Sequence, residues 1–373
     1  MNIVGVAASN LRQRRVRSLL TVGGVAIAIA AFVAFIGLSR GIENTLRHSL
    51  DTRGADIIIV ESVSEDYLSS VVPEELVERV REEPLVAAAA PELDRMTTLA
   101  DGTNVFVVAW PEGAFGWRNL TLVEGRLPTT VDGGAVVIGV SLAERLGIHV
   151  GDTVDVFFSP FRVVGIVDSG NVINRNLVVG LLGDMQTLTY RTGQATSIVA
   201  QLSPEAGDDG REAAVARLRA MLPTYTVDTT EALISSSMHV NVARVLAWSI
   251  STVALLTAVL GILNTMTMAV NERRREIAIM RAVGWPKRRI VACLLIEGGL
   301  LSAIGGAIGC AAGTAIAWTV SGSPNVSGFV VPDITAVLLA EAFLIALAMG
   351  MVSSLVPAWG GARQSPAAVL RGH

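Results

Sequence analysis

The stretch SLLTVGGVAIAIAAFVAFIGLS, residues 18–39, contains no charged side chain. A helix over these residues is about 33 Å long, which is enough to cross the roughly 30 Å hydrocarbon core of a bilayer. Basic residues precede the stretch, as they do in a secretory signal, but the apolar run is longer than the about 7–15 residues of a signal-peptide core. Residues 18–40 are therefore predicted to form a retained transmembrane helix.

Three further apolar stretches, at residues 244–270, 290–320 and 334–356, also have the length of a membrane span. Hydrophobic residues make up 51% of the 373-residue chain and charged residues only 17%, whereas soluble domains have about 25% charged residues. This composition excludes an ordinary soluble protein. The sequence predicts a membrane α-helical protein with four transmembrane helices and, between the first two, an α+β domain at residues 41–243.

The orientation in the membrane is predicted from the short segments that flank the spans. Residues 1–17 contain four arginines and no acid, and residues 271–289 contain seven basic residues against two acids. Because basic residues accumulate on the cytoplasmic side, both segments and the tail at 357–373 are expected there. The domain at 41–243 and the short loop at 321–333 are then extracytoplasmic, in a multi-pass protein of the cell (inner) membrane.

The region 41–243 has short β-rich runs broken by Gly, Pro and Asp, which is typical of a folded α+β domain. Two β-α-β halves are expected to flank a β-rich insertion at about 113–184. The predicted strands are 56–60, 86–90, 105–109, 135–138, 154–158, 161–167, 197–202 and 225–228, and the predicted helices are 73–83, 141–146 and 209–221. Pro73 is expected in the first turn of its helix, Ser141 as an N-cap and Gly147 just past a helix end.

No residue pattern in the sequence points to catalysis, a cofactor or a metal. A phosphate-binding loop needs a Gly-Lys-Ser/Thr run, but the single lysine, Lys287, stands between Pro286 and Arg288. His149 lies alone in a turn, where solvent exposure is its simplest role. The 28 acidic and 14 basic residues of region 41–243 argue against nucleic acid as a partner. We expect no catalytic residue, metal site or cofactor in this chain, so that another chain would bind any ATP.

A short cytoplasmic segment between the second and third spans has a distinctive pattern. Residues 271–284 read NERRREIAIMRAVG, with apolar side chains among charges, and Gly284 is placed to end a helix before Pro286 opens the next. The residues alone leave two interpretations open. The segment is either a basic loop that only fixes the orientation in the membrane, or a short amphipathic helix that docks on a cytosolic protein.

This segment resembles the cytoplasmic motif of FtsX-like ABC transporter permeases of the MacB and LolC/LolE type, which has the form E-R-x-R-E-I-x-x-[LM]-R-A-[LV]-G. Three further similarities follow the family order along the chain: residues 17–21 (RSLLT), residues 124–126 (EGR) with residues 135–152, and residues 357–359 (PAW) with residues 366–371 (PAAVLR). The chain departs from the family at Trp285, where the family has a small or polar residue.

The resemblance implies mechanotransmission, in which ATP-driven motions pass along the helices to the outer domain and cargo does not cross through them. It implies a cytoplasmic ABC ATPase in two copies, which binds ATP and Mg, and a second permease subunit that is either an identical copy or a close paralogue. A membrane-fusion adaptor remains an open further partner, as does membrane lipid. The ATPase-coupling residues implied by the motif are Glu272, Arg273, Arg275, Glu276, Ile277, Met280, Arg281 and Gly284.

Polar residues inside the spans form a second set of candidates. Carboxylates within a membrane are costly and are functional candidates by default, which points to Glu297 and Glu341. Glu297 lies near the cytoplasmic end of its span, where a structural or coupling role with a nearby arginine or another helix is favoured. Glu341 is expected to face a neighbouring helix, a cavity between subunits or cargo, and Asn264 is expected to line the same cavity.

Glycines form a third set of candidates, for helix packing. Gly305, Gly309 and Gly313 recur every four residues in the third span, and such a strip lets another helix approach closely. The partner is either a second subunit or the first span, whose Gly23 and Gly24 offer a similar surface.

Two functions are open from the sequence. The favoured one is a permease subunit that couples ATP hydrolysis by a separate ATPase to export or extraction of an amphiphilic cargo, such as a lipid, lipoprotein, peptide, haem or drug. The alternative is an FtsX-like signal transmitter that controls an extracytoplasmic partner such as a cell-wall hydrolase. The length of region 41–243 favours the first, since the FtsX domain is smaller.

Overall fold

The computed structural model describes residues 15–62, 67–99, 101–168, 174–236, 238–323 and 330–364. The chain divides into two compact units. The membrane unit comprises Met1–Ser39, Arg244–Val320 and Pro332–His373, and the outer unit comprises Arg40–Ala243 and Ser321–Val331.

The elements are numbered in chain order. The helices are α1 (Arg15–Arg53), α2 (Leu76–Arg81), α3 (Val140–Leu146), α4 (Leu182–Leu188), α5 (Gly207–Met221), α6 (Thr230–Ser236), α7 (Met238–Glu272), α8 (Arg274–Ala282), α9 (Lys287–Ser321) and α10 (Ala336–Arg363). The strands are β1 (Ile57–Glu61), β2 (Val72–Pro73), β3 (Val86–Thr98), β4 (Asn104–Trp110), β5 (Thr121–Gly125), β6 (Ala135–Gly139), β7 (Thr153–Val156), β8 (Ser159–Asp168), β9 (Leu177–Leu181), β10 (Gln194–Ala195), β11 (Ser197–Leu202) and β12 (Tyr225–Thr229).

Four helices, α1, α7, α9 and α10, are long and apolar enough to cross a membrane among the described residues. This agrees with the four predicted spans. Helices α1 and α10 both continue past the C-terminal end of the apolar stretch that predicted them. Helix α1 ends at Arg53 instead of near residue 40, and α10 runs through Pro357 to Arg363. Hydropathy marks where a helix becomes polar, and it does not mark where the helix ends.

The polar end of α1 stays helical because one of its faces is buried in the outer unit. Gly41, Thr45, Ser49 and Arg53 recur every four residues and all are buried. Residues at this spacing lie on one side of a helix. Gly54 then ends the helix in a left-handed conformation, with φ of 76°.

The outer unit is built on a ten-stranded mixed sheet in the order β12-β1-β11-β3-β4-β9-β6-β8-β5, with β7 paired to β8. Among the first four strands of this order, each strand is antiparallel to its neighbours. The two β-α-β halves, β1-α2-β3 and β11-α5-β12, therefore interleave in one split arrangement. Strand β4 joins them to the insertion through its parallel pairing with β9. The predicted α+β class, with two halves and a β-rich insertion, is confirmed.

Alternating side chains of β1 explain how the sheet is covered. Ile57 and Ile59 pack with Val80 of α2 and Leu218 of α5 on one face. Ile58 packs with other buried residues on the opposite face. This is the period-two pattern of a strand that is buried on both sides.

Two local predictions are wrong and one is confirmed. Pro73 lies in strand β2, paired with Gln194, and the helix begins at Leu76. Ser141 lies inside α3, whose N-cap is Gly139, because β6 passes into the helix without a loop. Gly147 ends α3 in the left-handed conformation, as predicted.

Candidate functional site

The predicted coupling segment folds as a separate short helix, α8. It is closed at its C-terminal end by two backbone hydrogen bonds, one from the amide of Gly284 to the carbonyl of Arg281 and one from Trp285 to Met280, both 3.1 Å long. Gly284 has a φ of 100°, which a residue with a side chain rarely adopts. The glycine therefore ends the helix and turns the chain toward α9.

One side of α8 is held against the membrane unit. Ile277 is buried in the same apolar core as Val270 of α7 and Ala358 of α10. Arg273, at the start of α8, donates from Nη1 to Oε2 of Glu297 at 3.1 Å, and these side chains are only 14% and 10% exposed. Arg273 and Ile277 thus fasten the segment to the helices. Glu297 lies in α9 and pairs with Arg273 at the start of α8, and pairing with another helix is one of the alternatives predicted for it.

The opposite side of α8 is exposed and combines charges with apolar side chains. Glu272, the last residue of α7, and Arg275 and Glu276 of α8 are exposed. Ile279 and Val283, one turn apart, are 49% and 75% exposed. We call these five residues the docking face. An exposed apolar pair ringed by charges has the composition of a protein-binding surface. The list of coupling residues implied by the motif omits Ile279 and Val283, although their spacing of four residues is a signal for a shared helix face.

The intramembrane polar candidates lie on different helices, and their shared cavity stays a prediction. Asn264 and Glu341 are both exposed, on α7 and α10. Near Asn264, Met266 is buried and Met268 is 57% exposed, so the two methionines face different directions. Among the described residues, no group of three or more His, Cys, Asp or Glu side chains is arranged to hold a metal ion.

The glycine strip of α9 packs on the first span of the same chain. A methyl group added at Gly309 would come within 2.7 Å of the Ala26 carbonyl oxygen and of Ile29 Cβ. Gly305 and Gly313 approach α1 equally closely, one turn before and one turn after. Gly23 and Gly24 take no part in this contact, since an added methyl group at either position would meet no atom within 4 Å.

A second seam of small residues, absent from the predictions, joins α9 to α10. The Gly298 and Gly350 backbones approach so closely that an added methyl group at Gly298 would lie 2.9 Å from the Gly350 carbonyl oxygen. An added methyl group at Gly306 would lie 2.8 Å from the Ala346 side chain. The sequence signal is the small-xxx-small spacing of 298, 302 and 306 against 346, 350 and 354.

The α1 seam can be tested by enlarging one glycine. We expect Gly309→Leu to destabilise the membrane unit by about 1–3 kcal/mol, because the added side chain overpacks the contact with α1. Thermal unfolding of the solubilised chain measures the effect.

The matched control is Gly261→Leu in α7, where an added methyl group meets nothing within 4 Å. Leucine favours helix over glycine by under about 1 kcal/mol at either position, so the control variant should be neutral or more stable. Equal unfolding temperatures for the two variants would contradict the observed seam.

A buried polar cluster holds the far end of α1 in the outer unit. Arg53 Nη1 donates to Glu92 Oε1 and to Asp94 Oδ1, each at 3.1 Å. Tyr67 donates to Asp94, and the Trp110 indole donates to Glu92. Arg53, Glu92 and Asp94 are 7%, 1% and 2% exposed. We call these five residues the Arg53 cluster.

Further hydrogen bonds fix the same helix end. Asn119 donates its side-chain amide to the Arg53 carbonyl oxygen at 2.8 Å. Ser49 donates to the Asn174 side chain at 2.8 Å, and Asn174 donates back to the Ser49 carbonyl oxygen at 3.2 Å. The last turn of α1 is therefore fastened to three separate parts of the outer unit, and this anchor is absent from the sequence predictions.

The protonation of Glu92 makes the cluster sensitive to pH. Burial, and then the neighbouring Asp94, raise the pKa of Glu92 from 4.5 to about 8. The folded state then keeps a proton that the unfolded chain releases between these values. The free energy of unfolding should therefore fall by up to about 1.4 kcal/mol per pH unit as pH rises from about 5 to 8.

We expect Glu92→Gln to flatten this slope, because the amide stays neutral at every pH. Hydrogen exchange of β3 amides in the full chain measures local stability from pH 5 to pH 8. Glu83→Gln is the control. Arg217 lowers the pKa of Glu83, so the stability that the Glu83 carboxylate contributes is lost only when pH falls below the ordinary carboxyl pKa. A slope in Glu92→Gln equal to that of the unmodified chain would contradict the assignment.

Comparisons with known proteins agree with this architecture. The family model described as the MacB-like periplasmic core domain matches residues 18–220, and the model described as the FtsX-like permease C-terminal region matches residues 248–366. An uncharacterized ABC transporter permease of Methanocaldococcus jannaschii is 25% identical, over 100% of this chain and 98% of the relative.

Two further similarities concern MacB proteins. The macrolide export ATP-binding/permease protein MacB of Brucella abortus is 26% identical over 98% of this chain, which spans 60% of that relative's length. The periplasmic region of MacB from Actinobacillus actinomycetemcomitans aligns over 49% of this chain and 94% of its own, with 16% identity and a TM-score of 0.38. The two family matches cover most of the sequence, and the chain belongs to the family of FtsX-like ABC transporter permeases that carry a MacB-like periplasmic core domain.

Proposed function

We propose that this permease works by mechanotransmission. A separate cytoplasmic ATPase, in two copies, binds the docking face, and its ATP-driven motion is carried to the outer unit. The outer unit then moves an amphiphilic cargo, such as a lipid, lipoprotein, peptide, haem or drug, that is already outside the cytoplasm. ATP and Mg belong to the ATPase in this scheme.

The observation that carries the proposal is the continuity of α1. Its 39 residues make one helix, about 58 Å long, which is roughly twice the hydrocarbon thickness of a bilayer. The helix contributes residues to both units, and its last turn is fastened by the Arg53 cluster. A continuous helix with a fixed end passes a displacement along its axis, whereas a flexible linker would absorb it.

The exposed surface of α7 supports the expectation of a second permease subunit. Val253, Leu256 and Leu260 are 65%, 59% and 66% exposed. Side chains of this kind on a membrane helix contact lipid or another helix. We propose that a second copy, or a close paralogue, uses part of this face.

The relatives support the export direction and the need for an ATPase. The MacB name of one relative joins an ATP-binding and a permease function with macrolide export. This chain spans 60% of that relative's length. Its described residues form a docking face and contain no nucleotide-binding loop. The name of this relative supports an ABC ATPase as the motor of this permease, and a membrane-fusion adaptor is a further proposed partner.

Co-purification tests the proposal directly. The chain is expressed with candidate ATPases, and we expect one to bind and to hydrolyse ATP faster in the complex. Glu276→Arg and Arg275→Glu, both in the docking face, should each lower that stimulation several-fold, whereas the exposed Glu212→Arg in α5 should not. The proposal fails if no ATPase binds, or if the three variants behave alike. Recovery of a cell-wall hydrolase without cargo would favour signal transmission instead.

A further inference from the structure

A groove lies between the first turns of α9 and the last turns of α10, apart from the docking face. Its volume is about 420 Å³. Its lining residues are Lys287, Arg288, Val291, Ala292, Leu295, Trp359, Ala362 and Arg363. We call this the basic groove. All of these residues belong to the membrane unit.

The basic groove is charged at one end and apolar along its length. Lys287, Arg288 and Arg363 are exposed at the rim, and none of the described lining residues is acidic. The walls run inward along α9 through Val291 and Leu295. The change from cationic to apolar along the groove matches a molecule with an anionic head and a hydrocarbon tail.

The second wall of the basic groove is aromatic. Trp359 is 53% exposed, and the Arg363 guanidinium lies 5.5 Å from the centre of its ring. Tryptophan and basic residues are typical of the level where a membrane helix meets the lipid headgroups. Ala362, which is 2% exposed, forms part of the groove floor and leaves room for an occupant.

We propose that the basic groove binds an anionic glycerophospholipid, with its phosphate at Lys287, Arg288 and Arg363 and one acyl chain along Val291 and Leu295. Arginine forks bind phosphate oxygens in pairs, and basic pockets between membrane helices suit anionic headgroups. The lipid would tie the start of α9, directly after the coupling segment, to the end of α10. The inference rests on the proposed function at one point only, which is that the basic groove lies on the cytoplasmic side of the membrane.

Native mass spectrometry of the solubilised chain, without ATPase, tests the site. Phosphatidylglycerol and phosphatidylcholine with identical acyl chains are titrated separately. We expect tighter binding of phosphatidylglycerol, and about fivefold weaker binding for each of Arg288→Gln and Arg363→Gln. Arg289→Gln is the matched control, since Arg289 stacks on Trp285 at 4.5 Å and does not line the groove. It should change the affinity less than twofold.

A filling variant tests the apolar part independently of charge. Ala292→Trp should occupy the acyl-chain path and weaken phosphatidylglycerol binding at least fivefold while the chain remains folded and monodisperse. The proposal is overturned if the two lipids bind equally, if Arg288→Gln and Arg289→Gln have the same effect, or if Ala292→Trp leaves binding unchanged. Loss of ATPase binding in Ala292→Trp with intact lipid binding would assign the groove to the ATPase. Because the lipid assay contains no ATPase, failure of the proposed function leaves its result unaffected.

Discussion

Replacing Arg53 by methionine is expected to destabilise the outer unit by about 3–5 kcal/mol. Methionine keeps the apolar part of the side chain but leaves the Asp94 carboxylate buried without its cation. Removing one partner of a buried ion pair costs this much because the remaining charge is neither solvated nor paired. Hydrogen exchange of β3 and β4 amides in the full chain measures the loss as faster opening of these strands.

Arg211→Met provides the matched control. Arg211 makes the same 3.1 Å contact with a carboxylate, Asp56, but the two side chains are 44% and 28% exposed. A solvent-exposed pair contributes about 0–1 kcal/mol. Adding Asp94→Asn to Arg53→Met should recover part of the stability, since it removes the unpaired charge. Equal effects of the two arginine changes would show that the Arg53 cluster does not hold the unit together.

The second large effect is expected at the docking face. The double change Ile279→Asp and Val283→Asp places two carboxylates on an exposed apolar pair and leaves the buried Ile277 in place. Burying these charges against a partner would cost several kcal/mol. ATPase binding should therefore weaken at least about 100-fold. Co-purification and titration of the purified ATPase against the chain measure the loss.

Val131→Asp is the control for the docking-face variant. Val131 is 94% exposed in the outer unit, so the same change of chemistry there should leave ATPase binding intact. Arg53→Met should also retain ATPase binding, because its effect lies in the outer unit. If the double variant binds the ATPase as well as the unmodified chain, the ATPase docks elsewhere.

The elements of this fold are largely predictable from local sequence. Apolar length predicts the four spans, and short β-rich runs predict strands such as 197–202 with the bounds observed. Glycine signals at Gly147 and Gly284 predict where α3 and α8 end, because a left-handed residue is a local requirement. The errors arise where a neighbouring segment determines the local structure. Pro73 lies in strand β2 because this strand pairs with β10 at Gln194, and Gly139, not Ser141, is the N-cap of α3.

The functional arrangement is less predictable because it depends on contacts between distant residues. Arg53 lies outside every helix predicted from the sequence, and Glu92 and Asp94 lie beyond the predicted strand 86–90. Only the folded sheet shows that both acids point at the same guanidinium. Similarly, the motif groups Arg273 and Ile277 with the ATPase-coupling residues. The structure places both on the inner side of α8, where they fasten the segment to the membrane helices.

In the proposed mechanism, ATP-driven motion reaches the outer unit through a continuous α1. Hydrogen exchange of residues 86–98, in the complex with the ATPase and with and without ATP, tests this coupling. We predict that exchange at these residues changes when ATP is added. Asn44→Pro should abolish this change while ATP turnover continues, because proline breaks the helix interior. The control variant Asn44→Ala should leave the change in place. The claim is contradicted if ATP is hydrolysed without any change in residues 86–98, or if the change persists in Asn44→Pro.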